Sequence, residues 1–230
     1  WRTLPVPHAD PERTHLNEDW RPVTSPGALR AAIEQRLALV TAAAAKSPVL
    51  CVEYLITARA EGFKGYGGEV DAPAYFRDAL AFIEARHGAS NVVAVNVQND
   101  EAAPHLVVYV TPLVERPART VRKSVFAGGR DENGKLKRVT KEIRRPAEVV
   151  LSADHYNGTP AKLAALQTVF AEQVAAKHGL ARGLELSAAS HTTNKQHHEA
   201  LARALAGHIG LTPEVLARQG RLWSKEAPEE

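Results

Sequence analysis

The chain has 230 residues, 44% apolar and 24% charged, with a net charge of +3. That is enough for one large domain or two small ones around a real core. No apolar run approaches the roughly 20 residues of a membrane span, which argues against a membrane partner. The single cysteine, Cys51, excludes a disulfide within the chain and points to a reducing, cytoplasmic compartment.

In chain order, the opening stretch WRTLPVPHADPERTHLNEDWRP carries prolines at 5, 7, 11 and 22 and no periodicity, so it predicts an extended segment lying across the body. The chain has no methionine and starts at Trp1-Arg2, which reads as a segment excised from a longer protein. Ser25 and Pro26 signal a helix start, with Leu29, Ala32, Ile33, Leu37 and Val40 at helical spacing up to the alanines near Lys46. VLCVEYLITA (49 to 58) predicts a buried strand, with Cys51 an inert thiol inside it. Gly62, Gly65, Gly67 and Gly68 mark a loop, and Asp71 is placed to cap a helix with Tyr75, Phe76, Ala79, Leu80 and Ile83 inward, ended by Gly88.

NVVAVNV (91 to 97) and HLVVYVTPL (105 to 113) read as adjacent antiparallel strands joined by QNDEAAP. A basic two-stranded ribbon follows, turning at Asn133-Gly134. Thr159 and Pro160 open a helix with Leu163, Leu166, Phe170 and Val174 on one side, closed by Gly179. Further helices are expected at about 195 to 206 and from Thr212-Pro213, and the terminal residues from 223 to 230 read as a linker or tail. Strands that pair among themselves, segregated from helices, predict an α+β fold with helices on one face of a mainly antiparallel sheet.

Charge is unevenly placed. Residues 116 to 145 hold eleven Lys or Arg against three acids, while the remainder holds 18 basic and 23 acidic residues. Such an arm suits a polyanion partner, or is simply a solvated basic hairpin. At the turn between the two strands, Gln98, Glu101 and His105 are spaced to converge. One imidazole, one carboxylate and one amide oxygen make a poor zinc set, and suit a loosely held Mg²⁺ or Mn²⁺ better. An uninvolved surface turn is the plainer reading of those three residues alone.

ADPERTHLN (9 to 17), VEYLITA (52 to 58), RHG (86 to 88), NVVAVNVQNDEAAPHLVVYVTPL, LAALQTVFAEQV (163 to 174), HGLARG (178 to 183) and SAASHTT (187 to 193) occur in one order. That ordered set resembles the relaxase domain of the MobV, or Pre/Mob, plasmid recombination and mobilisation family. The resemblance implies an HUH-type nuclease fold over residues 1 to 222, with the basic ribbon as an insertion. It implies a Mn²⁺- or Mg²⁺-assisted transesterification that nicks one strand of transfer-origin DNA.

The family's H-x-D-E-x-x-P-H-x-H motif falls on Gln98, Asp100, Glu101, Pro104, His105 and Val107, so two of its three imidazole positions are replaced. Glu101 and His105 are then the expected catalytic and metal-holding residues, with Gln98 as a third ligand. The nucleophile's motif would end at Trp1-Arg2, placing the nucleophile upstream. Expected DNA contacts are Arg2, Arg119, Arg122, Lys123, Lys135, Lys137, Arg138, His191 and Lys195. A further C-terminal domain and oligomerisation are also expected. The alternative is a non-catalytic DNA-binding relative whose metal corner has decayed, as Gln98 and Val107 suggest.

Overall fold

The computed structural model describes residues 9–42, 46–130 and 132–183. The described residues fall in one compact unit that ends at Gly183. Arg2, His191, Lys195 and the helices expected after 195 lie outside the described residues, as does the expected boundary at 222.

Two strands, β3 (Val92–Gln98) and β4 (His105–Val110), form the middle of a four-stranded antiparallel sheet. The short β1 (Glu18–Asp19) flanks β3, and β2 (Val52–Ile56) flanks β4. Residues of alternate parity on a strand face opposite sides of its sheet. Leu106, Val108 and Val110 therefore share one face with Val95, Val97 and Ile56, and all are buried. The helix α2 (Ala72–His87) covers that face with Tyr75, Phe76, Ala79 and Ile83. Phe63 joins them, its ring centroid 6.0 Å from that of Phe76. Each buried aromatic or branched side chain contributes about 1.5–3 kcal/mol of transfer free energy. The Phe63 loop turns tightly on Gly68, where a Cβ would lie 2.2 Å from the Gly62 carbonyl oxygen.

A bulge in β3 decides what the other face carries. The register passes from Val92↔Val110 to Ala94↔Tyr109, leaving Val93 unpaired. One extra residue reverses the alternation. Without it Asn96 and Gln98 would point into the core; with it they stand beside Val107 and His105.

Several sequence expectations change. The strand predicted over 49 to 58 is shorter, lies at the sheet edge, and buries only Ile56, while Leu55 is 62% exposed. Cys51 precedes the strand and is half-buried, and burial pushes its thiol pKa up. The strand predicted over 105 to 113 divides at Thr111-Pro112 into β4 and β5 (Leu113–Arg116), since proline has no N–H to continue the ladder.

The first helix, α1 (Pro26–Leu37), is capped by Ser25, whose Oγ accepts from Ala28 N at 3.1 Å. It stops short of the alanines because Thr41 N donates instead to Val149 O at 3.0 Å. Asp71 occupies the cap position of α2 but makes no side-chain cap bond. Thr159 caps α3 (Pro160–Gln173) as expected.

Beyond the main sheet, β5 pairs with β8 (Glu148–Leu151), and between them in the chain β6 (Arg119–Arg130) pairs with β7 (Leu136–Arg145) as a separate ribbon. The expected two-residue turn at Asn133-Gly134 is a longer connection, because Arg130 pairs with Leu136 after a register shift at Gly128 and Gly129, both at positive φ. No helix among the described residues is long and apolar enough to cross a membrane.

At the end of α2, His87 is 3% exposed. Tyr54 Oη donates to Asn157 Oδ1 at 3.1 Å, so it accepts from His87 Nε2 at 2.8 Å, and Nδ1 is buried with no acceptor for a second proton. Burial first, then the charges of Arg86 and His155, lower the His87 pKa from 6.5 to about 4. Below pH 6.5 the unfolded chain binds a proton at this site that the folded chain refuses, so stability falls as pH drops toward 4 and is independent of this group above about 7. The loss is on the order of 3 kcal/mol. Denaturant midpoints compared between pH 7 and pH 4.5 should fall steeply for the native chain and less for His87→Phe; equal slopes would contradict the assignment.

Candidate functional site

The turn between β3 and β4 is held from outside by the segment Asp10 to Asn17. Asp100, at its centre, is fully buried. A carboxylate removed from water needs donors, and Thr14 Oγ1 supplies one to Asp100 Oδ2 at 3.1 Å. Asp10 N donates to the Asp100 carbonyl at 2.6 Å. Asn99 N donates to Asn17 Oδ1 at 2.7 Å, and Asn99 Nδ2 to the Leu16 carbonyl at 2.8 Å. Arg13 Nη1 donates to the Glu101 carbonyl at 3.4 Å, and its other terminal nitrogen bonds the Tyr66 hydroxyl. The guanidinium carbon also sits 5.7 Å from the Tyr66 ring centroid. The extended N-terminal segment expected from its prolines is therefore, over these residues, a clasp on the turn, with one short 3₁₀ turn at Thr14–Leu16.

Within the clasped turn, Gln98 and His105 are direct cross-strand partners. Gln98 Oε1 lies 3.1 Å from His105 Nε2, and the Ala103 carbonyl 3.2 Å from His105 Nδ1. A neutral imidazole carries one N–H. The ring donates from Nδ1 to the Ala103 carbonyl or from Nε2 to Gln98 Oε1, and either way a protein oxygen stands within hydrogen-bond distance of each nitrogen. Both ring nitrogens are thus engaged within the protein.

Of the three residues expected to converge, Gln98 and His105 meet. Glu101 stands beside them in the turn, its backbone carbonyl held by Arg13. Two positions along β4, Val107 is buried against Asn96 on one side and Leu55 on the other. Asn96 Nδ2 is itself turned away, donating to Asp19 Oδ1 at 2.9 Å and to the Glu18 carbonyl at 3.1 Å.

Among the described residues no three His, Cys, Asp or Glu side chains come together as a cation site. One imidazole already engaged at both nitrogens, beside a valine, does not fit Mn²⁺ or Mg²⁺, which need several open donors.

The basic candidates divide. Arg119 Nη2 pairs with Glu148 Oε1 at 2.7 Å, and Arg116 lies 3.9 Å from the same oxygen. The Arg119 contact ties the base of the ribbon to β8, and Arg119 first, then Arg116, hold the Glu148 carboxyl below its usual pKa. Arg122 pairs with Glu142 at 3.0 Å, and Arg138 donates to Ser124 Oγ at 2.9 Å and Ser124 O at 3.2 Å. Lys123 and Lys137 are exposed on the strands, and Lys135 lies in the connection before β7. Sequence reasoning missed Arg13, Thr14, Asn17 and Tyr66 as supports of the turn; the polar run PERTHLN was the available signal, but nothing local says which turn it binds.

The plasmid recombination enzyme family (Mob_Pre) matches residues 5–199. The chain belongs to that family. Its fold agrees with solved relaxase domains. A Mn-bound MobM relaxase domain (MOBV; Mob_Pre) in complex with 22-nucleotide plasmid pMV158 oriT DNA at pH 5.5 superposes with a TM-score of 0.59 at 21% identity, covering 86% of each chain. A second MobM complex, with 22-nucleotide DNA carrying a 3′ thiophosphate at pH 6.8, gives 0.59 at 22% identity over 87% of each chain. A third, at pH 4.6, gives 0.58 at 22% identity over 85% of this chain and 86% of that one. At these identities the likeness is one of fold, and it agrees with the α+β architecture expected from the sequence. No curated protein matches the chain.

In this Mob_Pre domain, placing imidazoles at 98 and 107 should open a cation site, since His105 and residue 107 share a face and residue 98 is the cross-strand partner of 105. Calorimetric titration with Mn²⁺ is expected to give little heat for the native chain and a measurable binding isotherm for Gln98→His/Val107→His. An unchanged isotherm would contradict the placement of these residues.

Proposed function

We propose that this domain binds transfer-origin DNA for plasmid mobilisation or recombination, and that its metal corner is closed in this member. The observation that carries the DNA-binding half is the ribbon of β6 and β7: eleven cations against three acids over residues 116 to 145, on an antiparallel pair that shares no ladder with the main sheet. A two-stranded ribbon fits a B-DNA major groove, and its lysines and arginines neutralise phosphates. The MobM domains of like fold are bound to oriT DNA, which supports the same partner here.

The closed corner is the departure from the expected enzyme. His105 is held by Ala103 and Gln98, and Val107 offers no lone pair. The residues that remain keep the turn in shape: Asp100 anchors the clasp, and Pro104, whose carbonyl accepts from Thr57 Oγ1 at 2.9 Å, leads the chain into β4.

The second reading is a relaxase that still nicks by transesterification. It is favoured by the retention of Asp100, Glu101, Pro104 and His105, and by the manganese in the MobM structures. In that case Glu101 and His105 would hold the cation with ligands outside the described residues, and it would supply positive charge beside the scissile phosphate. Both readings take residues 1 to 222 as one cytoplasmic domain, with a further C-terminal part and oligomerisation.

Two assays on the full-length protein test the proposal. Anisotropy with a labelled DNA hairpin should show binding that weakens steeply as salt rises from about 50 to about 200 mM. Supercoiled plasmid bearing the cognate origin should remain supercoiled with Mn²⁺. Absence of DNA binding at low salt contradicts the DNA-binding half, and Mn²⁺-dependent relaxation contradicts the closed corner.

A further inference from the structure

We propose that the ribbon is two-sided, and that the face bearing Lys123 and Lys141 grips the backbone of duplex DNA with both lysines closing on one phosphate. The inference rests on the DNA-binding reading above and narrows it to one surface and one contact chemistry.

Strand register sets the two faces. Arg119 stands opposite Arg145, Val121 opposite Ile143, Lys123 opposite Lys141 and Val125 opposite Val139. These rungs share a side because side chains alternate along each strand. The other side carries Thr120 opposite Arg144, Arg122 opposite Glu142, Ser124 opposite Thr140 and Phe126 opposite Arg138. The first face thus alternates a cationic rung with an aliphatic rung and has no acid. The second holds the acid, Glu142, and has two of its three arginines drawn onto the ribbon itself, Arg122 by Glu142 and Arg138 by Ser124.

Lys123 and Lys141 are exposed, and the ion pairs of the ribbon and its base, Arg116 and Arg119 with Glu148 and Arg122 with Glu142, leave them out. Directly opposed residues place their Cβ atoms about 4.5–5.5 Å apart, and like charges there destabilise the pair. An anion held between the two ammonium groups removes that repulsion. A phosphate suits them, since lysine offers a compact point charge where arginine offers a planar fork. The neighbouring Val121–Ile143 and Val125–Val139 rungs present no donors or acceptors to base edges, so the grip is blind to sequence.

The test compares two double variants of the whole chain that remove equal charge from opposite faces, Lys123→Ala/Lys141→Ala and Arg138→Ala/Arg144→Ala. Both are read by anisotropy with a fluorescein-labelled duplex-stem hairpin of arbitrary sequence, over a salt series, with thermal melts confirming the fold. The lysine pair should weaken binding several-fold at about 50 mM salt. It should also lower the log–log salt slope by about one unit, the share of a single phosphate, rather than about two. The arginine pair should lower the slope by less than the lysine pair does. A slope change of about two, equal losses from both variants, or loss from the arginine variant alone overturns the inference. Native binding with no effect of the lysine pair overturns it while leaving the DNA-binding reading standing, whereas native chain that fails to bind the hairpin overturns both.

Discussion

β3 and β4 pair from Val92↔Val110 to Gln98↔His105, and the bulge at Val93 fixes which side of the sheet each of their side chains joins. On one side the register delivers Val95, Val97, Leu106 and Val108 to Tyr75, Phe76 and Ile83 of α2, which is the core. On the other it lines up Asn96 and Gln98 with Val107 and His105. A one-residue slip would put the amides into the core and the valines outside, a change that burial of several branched side chains forbids. The chemistry of the corner is therefore a consequence of how the core is packed.

The turn that joins the two strands carries a second constraint. Asp100 is buried, and the residues that satisfy the turn come from a segment some eighty-five positions earlier: Asp10, Thr14, Asn17 and Arg13. The clasp and the Gln98–His105 contact together hold the turn through protein atoms, on a sheet whose fold is shared with relaxase domains. The ribbon, by contrast, is tied to β8 at its base by Arg119 on Glu148, and its outer rungs are exposed.

Much of this was legible in the sequence where a signal was local. Serine and threonine caps, the inner face of α2, the adjacent pairing of the two central strands and the alternation of cations with valines in the ribbon all follow from spacing, and the ordered motifs pointed to the Mob family. What escaped was non-local or silent. The bulge sits in VVAV, where every residue is small and apolar, so nothing marks the extra one. VLCVEYLITA reads as buried because composition does not distinguish a central strand from an edge strand with Leu55 in solvent. Pro112 breaks the ladder, but the apolar residues on both sides of it read as one strand. Asn133-Gly134 alone signals a tight turn, while Gly128-Gly129 upstream shifts the register and lengthens the connection. The Gln98–His105 contact followed from the strand pairing, but that it engages the imidazole at the nitrogen opposite Ala103 did not.

The central claim, that His105 is engaged by Ala103 and Gln98 rather than open to a cation, is tested most directly by nitrogen-detected NMR of the histidine rings during a Mn²⁺ titration. The account predicts that the His105 ring signals keep their positions and do not broaden selectively as the paramagnetic ion is added. Selective broadening of His105 at low Mn²⁺ would contradict it.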